Sequence, residues 1–152
     1  MLIRTHIAIS VLAVFLLIGA VENKIIFFVA AIIATFIPDI DSNVSSIGRI
    51  KILRPIQFFL KHRGITHSFT FLFLITLFLV LFFPIVALGF FVGYALHLFA
   101  DSFTIEGIQF FYPLRKRVAG KIKTGGKIEM SIFIFFVLVN LLLLAFKLVS
   151  IY

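Results

Sequence analysis

The sequence predicts an all-α, polytopic membrane protein with about five short transmembrane helices and an interfacial amphipathic helix, in a single membrane-embedded domain over residues 1–152. Three observations carry that prediction. First, 62% of the residues are apolar and only 13% charged, against about 25% charged in ordinary globular domains. Too little polar surface remains to coat a water-soluble core, so lipid is the solvent for most of the chain. Second, long apolar runs at 7–21, 25–37, 69–100 and 132–146 alternate with polar or mixed segments. Third, the basic residues gather on one side of the topology that those runs imply.

The first run follows Arg4, as the apolar part of a signal peptide would, but Ile18 before Gly19 and Ala20 makes a poor cleavage site. It is therefore expected to be a retained helix. The second run stops at Pro38. The third, at 32 residues, would reach about 48 Å as one helix, beyond a hydrocarbon core of about 30 Å. Pro84 at its middle, with Gly89 and Gly93 following, divides it into 69–83 and 85–100. Each span covers only about 20 to 24 Å, so flanking residues extend into the interface or the bilayer thins locally.

Between the second and third helices, Ile47, Ile50, Leu53, Ile56, Phe59 and Leu60 recur at mostly helical spacing among Arg49, Lys51, Arg54 and Lys61. This predicts a helix lying on the inner leaflet, interrupted at Pro55, although a basic amphipathic loop that anchors topology accounts for the charges equally well. After Asp101, Pro113, Gly120, Gly125 and Gly126 punctuate a basic stretch and predict a folded loop or hairpin.

Fourteen Lys and Arg against six Asp and Glu leave a net charge of +8. Five crossings put twelve of the basic residues on one side, with Lys24 and Lys147 opposite. That bias places the N-terminus and both long loops in the cytoplasm and the C-terminus outside. The partners expected of such a surface are membrane lipids, with no nucleic acid. There is no cysteine, which excludes disulfides, thiolate metal sites and cysteine nucleophiles. A metal would have to sit on imidazole and carboxylate.

The scarce acids and imidazoles all but converge on the cytoplasmic side. His6 opens the first helix, Asp39 and Asp41 close the second in PDID, and His62 and His67 precede the third in HRGITHS. His97 and Asp101 close the fourth, Glu106 and Glu129 follow, and Glu22 is the one acid on the other side. Local explanations exist for each: a cap at Thr5, an Asx turn after Pro38, a helix start at Thr66 or Ser68, an ordinary surface pair four residues apart at His97 and Asp101. Their joint occurrence at one membrane face is not explained that way, because such groups near hydrocarbon are costly unless paired or metal-bound. Zinc, with manganese or iron as alternatives, is the divalent metal that this donor set suits. His6, Asp39, His62, His67, His97 and Asp101 are the candidate ligands, more than one tetrahedral ion needs, so one ion with a surrounding shell and two ions both fit. Arg63, Glu129 and Asp41 are the candidate catalytic residues. Arg63 has the planar fork to clamp a phosphate or simply signals topology. Glu129 would act as a general base, accept a hydrogen bond, or merely supply an acidic first turn to helix five.

The motifs THIA, IPDID, HRGITHS, GYALHLFADSFTIEG, FYPL and TGGKIE, in order along nearly the whole chain, resemble the YdjM-like family of inner-membrane, predicted metal-dependent hydrolases. The resemblance implies a helical membrane protein with a hydrolase site on His6, Asp39, His67, His97 and Asp101. A fainter similarity, in the order His, Asp, His and His-x-x-x-Asp, is to the helical zinc-dependent phospholipase C and nuclease group. The first helix departs from the expected pattern in lacking closely spaced glycines after Thr5 and His6. The expected function is metal-dependent hydrolysis of a phosphoester in an amphiphilic small-molecule substrate at the inner leaflet of the cell membrane. The rivals are a proton- or metal-ion transporter and a non-catalytic membrane scaffold with a structural metal.

Overall fold

The computed structural model describes residues 1–41, 64–114 and 116–149. The expected interfacial helix, His62 and Arg63 lie outside the described residues, as does the side chain of Asp41. Five helices run through the rest: α1 (Ile3–Leu17), extended by a 3-10 turn at Ile18–Ala20; α2 (Lys24–Phe36), extended by a 3-10 turn at Ile37–Asp41; α3 (Phe69–Phe82); α4 (Pro84–Ser102); and α5 (Lys127–Val149). Between α4 and α5 the chain makes a small antiparallel ribbon of β1 (Ile108–Gln109) and β2 (Arg117–Val118), pairing Ile108 with Val118 and Gln109 with Arg117. The loop after Asp101 is thus the hairpin that its Gly and Pro punctuation predicts.

Three of the helical segments, Ile3–Ala20, Pro84–Ser102 and Lys127–Val149, are long and apolar enough to cross a membrane. At 13 and 14 residues, α2 and α3 reach only about 20 Å. The expectation of five spans therefore stands as five helices, of which three meet the length requirement among the described residues. Apolar side chains cover the outside: Phe73, Leu77 and Leu81 on α3 and Phe135, Leu138 and Leu142 on α5 are all exposed, as a lipid-facing surface requires.

The break at Pro84 is where the sequence puts it. Phe83 ends α3 and Pro84 takes the first position of α4, where its missing N–H is not needed. The two helices fold back as a pair, so the start of α3 and the end of α4 meet. Gly89 and Gly93, in contrast, do not weaken the helix. Both lie inside α4, on the face against α2. A Cβ on Gly89 would stand 2.6 Å from the Phe27 carbonyl oxygen and 2.8 Å from Ala30 Cβ, and one on Gly93 would strike the backbone of Ala31. Small residues at four-residue spacing let two helix backbones approach where packing and hydrogen bonds, not water, drive association. The main core is Ala34, Leu72, Phe90, Tyr94, Leu98 and Ile108, joining α2, α3, α4 and the ribbon.

α5 lies parallel along α1. Asn140 Nδ2 donates to the Ala8 carbonyl at 2.9 Å, and Lys147 Nζ to the Phe15 carbonyl at 3.2 Å. One end of the bundle thereby gathers the starts of α1, α3 and α5 and the ends of α2 and α4.

Candidate metal centre

Three helical stripes with four-residue spacing build the site. On α1 the buried residues His6, Ser10 and Val14 share one face. On α2 the stripe is Phe27, Ala31 and Thr35, all buried, and it points on toward Asp39 in the following turn. On α4 it is Gly89, Gly93, His97 and Asp101. Residues four apart in a helix stack on one side, so close packing at the glycine and alanine level of α2 and α4 brings their polar level into contact. There the His97 Nδ1 lies 2.7 Å from the Thr35 carbonyl oxygen. A carbonyl only accepts, so Nδ1 carries the proton and the Nε2 of neutral His97 is left with a lone pair facing the centre. Thr35 is held in turn: its hydroxyl donates to the Ala31 carbonyl at 2.9 Å and meets the Ser10 hydroxyl at 2.8 Å.

α3 delivers His67 from just before its first turn. The Ser68 hydroxyl donates to the Ile65 carbonyl at 2.6 Å and accepts from Phe71 N–H at 3.3 Å, an N-cap that fixes the entry to the helix. The Tyr94 hydroxyl donates to the Thr66 carbonyl at 2.5 Å. His67 is thus pinned to α4 one residue away from its own position.

Ligand atoms of Asp39, His67 and His97 lie within 4.8 Å of one another, and Asp101 stands beside both imidazoles. His67 Nε2 is 3.7 Å from Asp39 Oδ1 and 3.9 Å from Asp101 Oδ2, and His97 Nε2 is 3.8 Å from Asp39 Oδ1 and 3.9 Å from Asp101 Oδ2. Tetrahedral zinc with bonds of 2.0 to 2.2 Å sets its ligands about 3.3 to 3.6 Å apart, and these four imidazole–carboxylate separations exceed that by a few tenths of an ångström. His6 completes a second, overlapping group. Its Nε2 is 3.3 Å from Asp101 Oδ1, and its ring stacks on His97 with centroids 3.9 Å apart and planes 5° from parallel. His6, His97 and Asp101 are all buried, as are His67 and, in part, Asp39. The two oxygens of Asp101 therefore look toward different groups, and the Met1 amino group also contacts Oδ1.

The donor chemistry fits a divalent cation. His6 Nδ1 and His97 Nε2 have no hydrogen-bond partner among the described residues, although both are buried. Such orphans are costly. Two carboxylates among neutral imidazoles carry negative charge, which the Met1 ammonium beside Asp101 offsets in part and a divalent ion would offset in full.

Of the expected ligands, His6, Asp39, His67, His97 and Asp101 come together. Glu129 is held elsewhere. It is 1% exposed, and its Oε1 accepts from Leu2 N–H at 2.6 Å and the Thr5 hydroxyl at 2.9 Å, while Oε2 accepts from Gly125 N–H at 2.6 Å. Of its three expected roles the general base is the one the geometry disfavours: protein donors occupy both oxygens, and Glu129 joins neither ligand group. Thr5 is likewise no cap, since Leu2 takes the N-cap position of α1. Thr35 and Ser10 were not legible as site residues. Their signal was positional, four residues before Asp39 and four after His6.

Known proteins corroborate the resemblance. The family described as YdjM inner membrane protein matches residues 1–151. This chain belongs to that family. It is 39% identical over 97 residues to inner membrane protein YdjM of Escherichia coli (strain K12), covering 58% of this chain and 50% of that one. The same figures hold for inner membrane protein YdjM of Shigella flexneri. The chain thus spans about half the length of the curated relatives it matches. No solved structure matches it. Membership and the apolar helices agree on an inner-membrane protein, and the bundle end holds a His/Asp group able to bind a metal.

Proposed function

We propose that this chain is a membrane-bound, metal-dependent hydrolase that cleaves a phosphoester in an amphiphilic substrate at the cytoplasmic leaflet. The observation that carries the reading is the pair of overlapping groups, one of Asp39, His67 and His97 and the other of His6, His97 and Asp101, with an imidazole nitrogen of the shared His97 aimed inward. Asp39, His67 and His97, with Asp101 beside them, would hold the ion, zinc by donor type and manganese or iron as substitutes. A bound ion of this kind supplies Lewis acidity and makes hydroxide available near neutral pH. The Thr35 carbonyl keeps His97 in the tautomer that binds metal. Asp101 links His6 to the group, so that His6 orients the carboxylate or serves a second ion.

Arg63 and His62 sit in sequence within five residues of His67, and Arg63 is assigned the clamp on phosphate oxygens, with Asp41 beside Asp39 as an accessory acid. In the topology that goes with this reading, all five helices cross, α2 and α3 aided by local thinning, and the twelve basic residues hold the site end in the cytoplasm. A transporter would need polar groups to continue through the bundle. Beyond Ser10 and Thr35 the core is Val14, Phe27 and Ala31, an apolar plug among the described residues.

The test is metal analysis of the purified protein beside His97→Ala, with hydrolysis assays on phosphate esters and amides and ion flux in sealed vesicles. Metal in the wild type, its loss in the variant, and metal-dependent ester cleavage support the reading. A metal-free wild type overturns it. Amide cleavage without ester cleavage overturns the phosphoester assignment, ion flux without hydrolysis favours transport, and metal with neither favours a scaffold.

A further inference from the structure

A groove of about 500 Å³ opens between α1, α4 and α5, on the side of α1 away from α2. Ile9, Ala13 and Leu16 form one wall, Phe99 and Phe103 another, and Phe136 a third. Apart from Phe103, just past Ser102, these wall residues come from the segments long and apolar enough to cross a membrane, so hydrocarbon is the medium expected at the groove. Its volume is that of a ligand pocket rather than a packing gap.

The groove ends against the candidate metal centre, since its lining includes Met1, whose amino group contacts Asp101. Ala100, which lines it, is the residue before the ligand Asp101. Its other boundary at that end is Ile122, held by backbone bonds from Ile122 N–H to the Phe103 carbonyl and from Ile105 N–H to the Ile122 carbonyl, each 3.0 Å. Lys121 and Lys123 flank Ile122 and are exposed. An apolar slot in the bilayer thus ends beside a buried His/Asp group and a pair of cations. We infer that the groove seats one acyl chain of an anionic membrane amphiphile, whose headgroup is thereby brought to the His97–Asp101 end of the bundle.

This inference rests on the hydrolase reading for the fate of the headgroup, but the binding itself does not. Moving a chain from bilayer to groove exchanges one apolar medium for another, so burial of apolar area contributes almost nothing; selectivity comes from close packing and from the headgroup charge. The site is therefore expected to prefer anionic over zwitterionic lipid of the same chain length.

The experiment uses the full chain in phosphatidylcholine vesicles doped with a phosphatidylglycerol carrying a photoreactive group on its acyl chain, with adducts mapped by mass spectrometry. Adducts should concentrate on residues 9–16 and 96–103, enriched about tenfold over exposed α3 residues, a ratio that corresponds to about 1.4 kcal/mol of preference. Ala13→Trp, which fills the slot, should abolish the enrichment, whereas Leu81→Trp on the exposed face of α3 should leave it intact. A phosphatidylcholine probe should label the groove several-fold less. His97→Ala should retain labelling; a wild type that is labelled in the groove but hydrolyses nothing fails the hydrolase reading alone, and one that hydrolyses without groove labelling fails this inference alone. Labelling spread evenly over all lipid-facing helices overturns the inference, and so does an oligomer that Ala13→Trp dissociates, because the groove would then be covered by a second copy of the chain.

Discussion

Replacing Glu129 by Gln separates two roles that a buried carboxylate in this position can have. The native group accepts three hydrogen bonds, from Leu2 N–H, the Thr5 hydroxyl and Gly125 N–H. Two of these fix the first turn of α1, where His6 follows Thr5, and the third fixes the turn entering α5. Gln keeps the volume and one acceptor oxygen, enough for Leu2 and Thr5, but sets an amide N–H₂ against the Gly125 N–H. One charge-assisted bond is lost at about 1.5 to 3 kcal/mol, and the other two weaken from ionic to neutral. The sum is a destabilisation of about 2 to 4 kcal/mol, with Glu129→Ala costlier because it orphans all three donors. Thr5→Val, which removes only one donor, should cost about 1 kcal/mol. Thermal unfolding in detergent measures the first effect, and zinc retained under a chelator challenge measures the loosening of His6. A Glu129→Gln protein with unchanged stability and metal content but a rate lowered by about 10² to 10⁴ would refute this reasoning, since that is the pattern of a lost general base.

Other outcomes follow from the same geometry. His97→Ala should lose metal and rate together, whereas Arg63→Ala should keep the metal and lose mainly rate, with Arg63→Lys restoring part of it; kinetics beside metal analysis checks both. Gly89→Val, whose Cβ meets the α2 backbone, should force α2 and α4 apart, cost about 1 to 3 kcal/mol or more, and weaken metal binding by lengthening the His97–Thr35 contact; unfolding and zinc titration report it. Single cysteines at Phe83 and Lys123 should be labelled from opposite sides of the membrane, and labelling from one side would remove the hairpin of α3 and α4. Chelation should lower the unfolding temperature of the wild type and leave that of His97→Ala unchanged, because a ligand stabilises only a state that binds it.

Much of this was written in the linear pattern. Apolar run length and Pro84 specify five helices and the turn between α3 and α4, because a chain in hydrocarbon must close its backbone hydrogen bonds within each segment. The cost of imidazole and carboxylate near lipid flagged His6, Asp39, Asp41, His62, His67, His97 and Asp101 before any fold was known, and the family resemblance narrowed them to His6, Asp39, His67, His97 and Asp101. Helix ends were less legible. α1 begins at Ile3 rather than at the start of the apolar run, since its first turn is anchored by Glu129, more than a hundred residues away in sequence.

The roles of Gly89, Gly93, Thr35, Ser10 and Glu129 depended on contacts between helices. Glycine in a helix reads as a break when only its own propensity is considered, yet here it is the surface that lets α2 approach α4. A carbonyl oxygen such as that of Thr35 has no sequence signature at all, because every residue has one; only packing selects the one that holds His97 Nδ1. Composition and spacing thus indicate the solvent, the helices among the described residues and the inventory of candidate ligands, which are properties of single segments. Which ligands share a point, and which carboxylate is withdrawn to anchor the backbone, is set by distances between segments, and those exist only once the helices have packed.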